Sequence, residues 1–499
     1  MIKKLLVANR GEIAVRVFRA AREMGIRTVA VYSEADAKAM HTAMADEAIC
    51  IGSPEPSASY LDAVKILDAA KEAGADAIHP GYGFLSERAD FAEACSKAGI
   101  IFVGPPPAAM HKLGAKIEAK QLAVGAGVPV TPGYFEPGAS AEDLKRAADK
   151  IGYPIMLKAS AGGGGRGMRV VRDPKDFDNE IAIASDEAQK GFGDGAMMVE
   201  KLIERPRHIE VQVLADSHGN VACLFERECS LQRRHQKIIE EAPSPIVDDA
   251  LWQKMRQAAM SLIKTAGYVG AGTVELMFNE GSGEFYFLEV NARLQVEHPV
   301  TEEITGLDLV KWQLRIAAGE KLDIGADLLN GGRRAIRGHA IEARIVAEDP
   351  GQGFMPSIGP ILAWAEPKMP GVRVDTGYGP GSEVSRYYDS LIAKVIAHAD
   401  GRAEAIDKLR QALLDFHVIG IKTNIAYLLD ILDSQGFRSG AIDTGFLARE
   451  FADWKGSDLT RPELGLIAEA AQTPRASNGV ASTEASVWSN GDSFRNVRA

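Results

Sequence analysis

The sequence predicts a protein of the α/β and α+β classes with several domains, and three observations carry that prediction. Short apolar strands alternate with helical segments over residues 1 to 112, which is typical of a doubly wound parallel sheet. Glycine-rich, acidic and basic motifs concentrate between residues 113 and 330. Strand-rich and then helical segments between residues 331 and 450 indicate a third, α+β unit.

Composition bounds the classes of function. The chain has 499 residues, enough for two to four domains, and its formal net charge of −11 argues against nucleic-acid binding by the chain as a whole. No apolar run approaches the length of a membrane span, and the first one stops after Ala8. The four cysteines form no Cys-x-x-Cys pair, so we expect a reducing, cytoplasmic setting.

The first unit is expected to contain buried strands and intervening helices. The predicted strands are 5–8, 28–32, 76–79 and 100–103, and the first helix is 13–24, ending before Gly25. Parallel sheets bind ligands beyond the carboxyl ends of their strands, where residues 9–12 and 79–83 fall. Ordinary turns at both places are the alternative interpretation.

A run of four glycines, Gly162 to Gly165, lies between two predicted strands, 154–157 and 168–171. Glycine lets a backbone approach phosphate closely and change shape. A Walker loop would end in Gly-Lys-Ser/Thr and open a helix, and this loop does neither. The pattern favours a flexible flap over nucleotide phosphates, with a simple flexible hairpin as the alternative.

Two acidic strands flank a Gly-Ser-Gly turn. A hairpin centred near Ser282 places Glu275 opposite Glu289, and directly opposed carboxylates repel. A hard divalent cation would remove that cost, and Asn291 on the same face completes an oxygen ligand set suited to magnesium.

Alternation continues beyond this hairpin, from Glu289 to Glu297. If the segment stays extended, the odd-numbered residues form one polar face, which we interpret as metal ligands followed by a cation and then a base. The alternative is a strand with one solvated face.

Three further segments have both a functional and a structural interpretation. His208, Glu210 and Gln212 share one face of a predicted strand, where a histidine is more often structural. The basic run 232–237 either binds an anion or is solvated. Residues 197–203 are either a strand leading to an adenine pocket or a core strand.

Several long motifs, in chain order, resemble those of biotin carboxylases. They are residues 8–14, 79–87, 162–168, 232–237, 293–302, 342–345, 354–357 and 387–389. The resemblance covers about residues 1 to 450. It implies an ATP-grasp enzyme with a Rossmann-like N-terminal domain (1–112), an ATP-grasp domain (113–330) with a mobile lid at about 131–203, and a biotin carboxylase C-terminal domain (331–450).

The resemblance also implies site residues, position by position. For the nucleotide these are Lys116, Lys158, Gly163, Gly164, Gly165, Glu200, Lys201, Leu202, His208, Gln232 and His235. For the metal they are Glu275, Glu289 and Asn291, and for bicarbonate Lys237, Arg293, Gln295 and Val296. Glu297 matches the catalytic base, and Lys237, Arg293 and Arg344 match further catalytic positions. Tyr82, Arg344 and Asp389 match positions around biotin.

The implied reaction uses ATP, Mg²⁺ or Mn²⁺ and bicarbonate, and it carboxylates a carrier-bound biotin through carboxyphosphate. The implied partners are a biotin carboxyl carrier protein and carboxyltransferase subunits, and the implied assembly is a homodimer. Three departures remove no catalytic residue but leave the biotin rim in question. Ala115 stands where the family usually has aspartate, and Arg386 and Ser390 stand where it often has proline.

The carrier is expected on another polypeptide. No Met-Lys-Met motif for biotin attachment occurs, and residues 455–499 form a polar tail predicted to be disordered or to dock a partner. The motifs favour an acetyl-CoA or propionyl-CoA carboxylase. The biotin carboxylase subunit of a two-subunit pyruvate carboxylase and another ATP-grasp ligase are the alternatives.

Overall fold

Strands and helices alternate from the start of the computed structural model, which describes residues 2–160 and 167–456. The N-terminal elements are β1 (Lys4–Val7), α1 (Gly11–Glu23), β2 (Arg27–Ser33), α2 (Met40–Met44), β3 (Glu47–Gly52), α3 (Ala63–Ala73), β4 (Ala77–His79), α4 (Ala89–Lys97), β5 (Ile101–Phe102) and α5 (Pro107–Gly114). The strands form a parallel sheet in the order β3-β2-β1-β4-β5. The doubly wound sheet predicted from the sequence is therefore confirmed.

The apolar spacing of the first helix explains its position. Ile13, Val17 and Phe18 recur on one face of α1 and are buried against β1, so burial stabilises helix and sheet together. Gly25 follows with φ of 72°, a left-handed conformation that costs glycine little and ends the helix.

A small antiparallel sheet follows. Its segment of the chain contains α6 (Lys116–Gly125), β6 (Gly133–Tyr134), α7 (Ala141–Ile151), β7 (Ile155–Ala159), β8 (Met168–Val171), α8 (Phe177–Phe192) and β9 (Met197–Lys201). The strand order is β6-β9-β7-β8, covered by α7 and α8 around a separate apolar core. The strands predicted on both sides of the glycine run are present and pair antiparallel. The predicted contacts of Gly163, Gly164 and Gly165 lie outside the described residues.

An eight-stranded sheet forms the centre of the molecule. The next elements are β10 (Arg207–Ala215), β11 (Val221–Arg233), β12 (Gln236–Ala242), α9 (Asp249–Ala266), β13 (Gly270–Asn279), β14 (Glu284–Asn291), α10 (His298–Thr305), α11 (Leu309–Ala317) and α12 (Ala326–Leu329). Helix α9 buries Trp252, Met255 and Leu262 against this sheet.

The C-terminal elements extend the same sheet. They are β15 (His339–Val346), β16 (Glu348–Asp349), β17 (Met355–Pro356), β18 (Gly359–Pro360), β19 (Ala363–Ala365), β20 (Val372–Thr376), β21 (Glu383–Val384), β22 (Leu391–Ala399), α13 (Arg402–Leu414), β23 (His417–Ile419), α14 (Ile425–Asp433), α15 (Gln435–Ser439) and α16 (Phe446–Glu450). The full order is β14-β13-β10-β11-β12-β15-β22-β20. The sheet thus crosses the boundary predicted near residue 330.

Residues up to Lys455 pack as one unit. The predicted polar tail, 455–499, lies outside the described residues from Ser457 onward. Within the described part of the chain, every helix is too short or too polar to span a membrane.

Candidate active site

Charged side chains from successive strands of the eight-stranded sheet meet around Lys237. Its ammonium Nζ lies 2.6 Å from Glu210 Oε2, 3.0 Å from Glu275 Oε1 and 2.6 Å from Glu297 Oε1. Burial alone would lower the pKa of Lys237, but the three carboxylates outweigh it and raise the pKa well above the usual value. Lys237 is therefore a fixed positive charge at the centre of the site.

Glu297 is a fully buried carboxylate held between two cations. Its Oε1 accepts from Lys237, and its Oε2 accepts from Arg344 Nη2 at 2.8 Å. Burial would raise the pKa of Glu297, yet Lys237, Arg344 and Arg227 hold it well below the usual range. Glu297 is therefore ionised at neutral pH.

The extended polar face predicted from Glu289 to Glu297 is wrong. Strand β14 ends at Asn291, the chain turns, and α10 begins at His298 directly after Glu297. The chain turns because Pro299 favours the first turn of a helix, and Leu294 is buried. The turn still gathers the polar side chains.

Arg293 makes the contacts that hold this turn together. It donates to Asn291 Oδ1 at 3.0 Å and to Gln295 Oε1 at 3.1 Å. Its Nε lies 3.2 Å from Glu87 Oε2. Val296, the other residue matched to the bicarbonate site, accepts a hydrogen bond at its carbonyl from Lys394 Nζ at 2.9 Å. Three of the four residues implied for bicarbonate thus lie on this turn. The fourth, Lys237, contacts Glu297 at its end.

The register of the acidic hairpin agrees with the prediction. Glu275 pairs directly with Glu289 across β13 and β14. Burial and the neighbouring Glu275 charge raise the pKa of Glu289, whereas Lys116 lowers it. Asn291 donates to Glu275 Oε1 at 2.7 Å. Two opposed carboxylates and an amide form an all-oxygen donor set that fits Mg²⁺ or Mn²⁺.

His208 is anchored on the same face. Its Nε2 lies 3.0 Å from Glu275 Oε2, and its Nδ1 lies 2.8 Å from Gln232 Nε2. His208, Glu210 and Glu275 also bring ligand atoms within 4.8 Å of one another. Because the Lys237 ammonium already contacts both of these carboxylates, the cluster is charge-compensated.

The basic run 232–237 forms a tight hairpin between β11 and β12. Arg234 and His235 are its two loop residues, with φ of 50° and 66°, as a two-residue turn of this hand requires. Both are exposed at the tip, so His235 is accessible to a ligand, while Lys237 is directed into the site.

Two buried lysines meet at Glu200, and one of them, Lys158, was implied for the nucleotide. Glu200 contacts Lys158 Nζ at 2.6 Å and Lys120 Nζ at 2.5 Å. Burial would raise the pKa of Glu200, but the two lysines lower it to about 2. Burial lowers the pKa of Lys116, as does Lys158, while Glu289 and Glu200 raise it. These basic groups are therefore gathered between β7, β9 and the acidic hairpin.

Lys201 and Leu202 have local backbone partners. Lys201 Nζ donates to the carbonyls of Gly152 and Tyr153 at 3.0 and 3.1 Å. The amide of Leu202 donates to the carbonyl of Pro154 at 3.2 Å. The side chain of Lys201 is thus directed to this edge of the small sheet.

A cavity of about 310 Å³ is linked to the turn after β14 through Lys394, which contacts both Glu12 on the cavity lining and the Val296 carbonyl. Tyr82 and Asp389, both implied for biotin, are among its lining residues, together with Tyr387 and Tyr388. The Tyr82 hydroxyl donates to Glu12. Burial raises the pKa of Tyr82 well above the usual value, as do Glu12 and Asp389, while Arg344 lowers it. Arg344 therefore lies close enough to act on this side of the site.

Sequence reasoning gave no specific role to three buried charged residues of the site, Glu210, Arg227 and Glu240. Glu210 and Arg227 pair at 2.5 Å, and Glu240 Oε1 accepts from Arg344 Nε at 2.6 Å. Glu210 shares a strand face with His208, which was an available signal. Arg227 and Glu240 belong to no recognised motif. Their contacts are made with residues that are distant in the sequence.

Family models match most of the chain. They are "Biotin carboxylase, N-terminal domain" over residues 1–110, "Carbamoyl-phosphate synthase L chain, ATP binding domain" over 115–325, and "Biotin carboxylase C-terminal domain" over 342–449.

Similar proteins point the same way. The chain is 51% identical over 447 residues to the biotin carboxylase of Halalkalibacterium halodurans, covering 90% of this chain and 97% of that one. It is 50% identical over 454 residues to the mitochondrial methylcrotonoyl-CoA carboxylase subunit alpha of Rattus norvegicus, covering 91% of this chain but 62% of that protein. This chain thus spans about three fifths of the mitochondrial subunit's length.

A solved structure has the same fold. The biotin carboxylase domain dimer of the Hydrogenobacter thermophilus 2-oxoglutarate carboxylase, with MgADP, ADP and bicarbonate, has a TM-score of 0.85 and 47% identity, covering 90% of this chain and 97% of that one. With matched domains, high identity and a shared fold, the chain belongs to the biotin carboxylase family, the ATP-dependent ligases of biotin-dependent carboxylases.

Proposed function

We propose that this chain carboxylates biotin on a separate carrier protein, using ATP and bicarbonate through carboxyphosphate. The observation that carries the proposal is one buried carboxylate, Glu297, fixed between Lys237 and Arg344. Lys237 also contacts Glu275 of the acidic hairpin, and Lys394 connects the neighbouring turn to the cavity at Glu12. A base, an anion site and a site for the acceptor thus adjoin one another.

Bicarbonate binds between Lys237 and Arg293, with Gln295 and the backbone at Val296 completing its contacts. Arg293 is already oriented by Asn291 and Gln295, so little side-chain freedom is lost when the anion binds. Because an anion at Lys237 competes with Glu297 for its charge, binding raises the basicity of Glu297 when a base is needed.

ATP binds between the small sheet and the acidic hairpin. The residues that contact the nucleotide are Lys116, Lys158, His208, Gln232 and His235. Glu275, Glu289 and Asn291 hold Mg²⁺ or Mn²⁺, which neutralises phosphate charge when bound. The backbone at Glu200, Lys201 and Leu202 reads the base.

The chemistry follows from this arrangement. Glu297 removes the bicarbonate proton, and a bicarbonate oxygen attacks the γ-phosphorus as the bond to ADP breaks. Carboxyphosphate then cleaves at its carbon–oxygen bond to give carbon dioxide and phosphate. The phosphate takes the biotin N1′ proton, and N1′ bonds to carbon dioxide. Arg344 stabilises the enolate charge on biotin, with Tyr82 and Asp389 at the cavity rim.

The proposed partners are a biotin carboxyl carrier protein and a carboxyltransferase. The printed sequence contains no Met-Lys-Met for biotin attachment. We infer a homodimer, as for the Hydrogenobacter domain, and a cytoplasmic location from the four unpaired cysteines.

The proposed final acceptor is an acyl-CoA, either acetyl-CoA or propionyl-CoA. A pyruvate carboxylase subunit is the second candidate, because the biotin carboxylase subunit of a pyruvate carboxylase aligns at 45% identity with a TM-score of 0.78. Assays of the reconstituted complex with acetyl-CoA, propionyl-CoA, methylcrotonoyl-CoA and pyruvate distinguish these acceptors.

The central test measures ATP cleavage by the purified chain. We expect cleavage to require bicarbonate and to rise well above the free-biotin rate when biotinylated carrier is added, because tethering raises the effective concentration of biotin. A streptavidin blot of the chain from biotin-fed cells should be negative. ATP turnover with an amine acceptor and indifference to biotin would instead indicate another ATP-grasp ligase.

A further inference from the structure

Two buried glutamates face each other beside Arg344. Glu240 and Glu342 are directly opposed in the register of β12 and β15, and both are 0% exposed. Directly opposed residues of an antiparallel pair bring their Cβ atoms within about 5 Å, so the two carboxyl groups are neighbours.

Of the residues that the structure describes, the cations near Glu342 donate to acceptors other than Glu342. Arg344 donates to Glu240 Oε1 at 2.6 Å and to Glu297 Oε2 at 2.8 Å. Lys394 lies 3.1 Å from Glu12 Oε1 and donates to the Val296 carbonyl. Among the described residues, neither oxygen of Glu342 has a hydrogen-bond partner, and neither does Glu240 Oε2.

A carboxylate buried in this way does not stay ionised. Removing an unpaired charge from water is so costly that the group takes up a proton. A protonated carboxyl then has one O–H donor, which needs an acceptor. Glu240 Oε2, on the opposed residue, is an acceptor with no described donor.

We propose that Glu342 is a protonated acid that donates a hydrogen bond to Glu240 and thereby fixes the carboxylate that holds Arg344. Both glutamates are then positioning residues for biotin carboxylation. The role in carboxylation rests on the proposed function, whereas the protonation of Glu342 rests on burial and register alone.

The electrostatics agree with this geometry. Burial raises the pKa of Glu342 well above the usual value, because the charges of Glu240 and Glu297 add to burial and together exceed the effects of Lys394 and Arg344. Burial also raises the pKa of Glu240, but Arg344 opposes the rise directly through a hydrogen bond. The hydrogen bond from Arg344 favours the charge on Glu240, and the unpartnered Glu342 is the better place for the proton.

A neutral Glu342 matters for Arg344. Arg344 already contacts two carboxylates, Glu240 and Glu297, and an ionised Glu342 would be a third negative charge near its guanidinium. With Glu342 protonated, the guanidinium keeps its orientation and its capacity to stabilise negative charge on biotin.

The experiment compares Glu342→Ala, Glu342→Gln and Glu240→Gln in the full chain with biotin, and uses the exposed Glu383→Gln as the matched control. We expect Glu342→Ala and Glu240→Gln to lower the maximal rate of biotin carboxylation by roughly ten- to a hundredfold, the effect of a charge-assisted hydrogen bond. The KM for ATP should change little. Glu342→Gln keeps size and a donor, so it should recover most of the rate that Glu342→Ala loses.

Infrared difference spectra measure the protonation of Glu342 directly, which a purely structural role would not require. At neutral pH, the wild type minus Glu342→Gln spectrum should contain the carbonyl band of a protonated carboxylic acid, and the control difference should lack it. Absence of that band overturns the inference. So does a Glu342→Gln chain that is as slow as Glu342→Ala or fails to fold, because the amide replaces the acid in both size and donor. If the wild type does not carboxylate biotin, the proposed function fails while the infrared measurement still decides the protonation of Glu342.

Discussion

Replacing Glu297 with glutamine isolates the proposed base. The carboxylate is fully buried and accepts from Lys237 at 2.6 Å and from Arg344 at 2.8 Å. Glutamine has the same shape but one acceptor oxygen, so one of the two charged hydrogen bonds is lost, at a cost of about 1.5–3 kcal/mol. The variant should still fold, because typical domains are stable by about 5–15 kcal/mol.

The effect on the rate should be larger than the effect on folding. Loss of a general base typically slows a reaction by about 10² to 10⁴-fold. Bicarbonate-dependent ATP cleavage should fall by at least about a hundredfold on that basis, while the affinity for an ATP analogue stays nearly unchanged. Coupled measurement of ADP release gives the first quantity, and calorimetric titration gives the second.

A matched control separates the base from a general effect of removing one negative charge. Glu320 is exposed, so Glu320→Gln should leave both quantities at the wild-type level. Near wild-type ATP cleavage in Glu297→Gln would refute the assignment. An equal loss of ATP affinity and rate would instead show that Glu297 holds the site together.

Two further predictions concern Arg344 and the separate ion-pair cluster at Glu200. Arg344→Ala should lower the rate of biotin carboxylation far more than the affinity for ATP, because enolate charge develops only in the transition state; equal losses, measured by steady-state kinetics and calorimetry, would indicate a structural role. Glu200→Gln should destabilise the chain by roughly 3–5 kcal/mol, because it leaves Lys120 and Lys158 buried around a neutral group. Since the folded-state pKa of Glu200 is lowered to about 2, its contribution is present above the ordinary value of 4.5 and is lost as pH falls toward 2. Burial lowers the pKa of Lys120, which offsets part of that gain. Chemical denaturation between pH 7 and pH 3 should therefore show a smaller acid loss in Glu200→Gln than in the wild type, and parallel curves would contradict the pairing.

Local patterns predicted much of the fold. The first helix was expected at 13–24 and is Gly11–Glu23. Glu275 was expected opposite Glu289 and lies there, but the turn alone does not set this pairing. The turn pairs Asn279 with Glu284, and an irregularity between Phe287 and Glu289 brings Glu289 opposite Glu275.

One local pattern gave the wrong conformation. Alternating polarity from Glu289 to Glu297 fits an extended strand, but the chain leaves the sheet after Asn291. Pro299, two residues beyond Glu297, was the signal of a helix start. Alternating polarity does not by itself determine the backbone conformation. The conformation also depends on the tertiary packing that buries Leu294.

By itself, the sequence determined the class of fold, the positions of several strands along the N-terminal unit, and the motifs that indicate an ATP-dependent biotin carboxylase. Only the tertiary structure decided which charges meet. Lys237 and Glu297 are 60 residues apart, and Glu297 and Arg344 are 47 apart, yet each pair is in contact. The opposition of Glu240 and Glu342 depends on β12 pairing with β15 across a domain boundary predicted from sequence. Spacing along the chain sets local geometry, whereas the burial and pairing of charges depend on strand order, which sequence-local patterns do not encode.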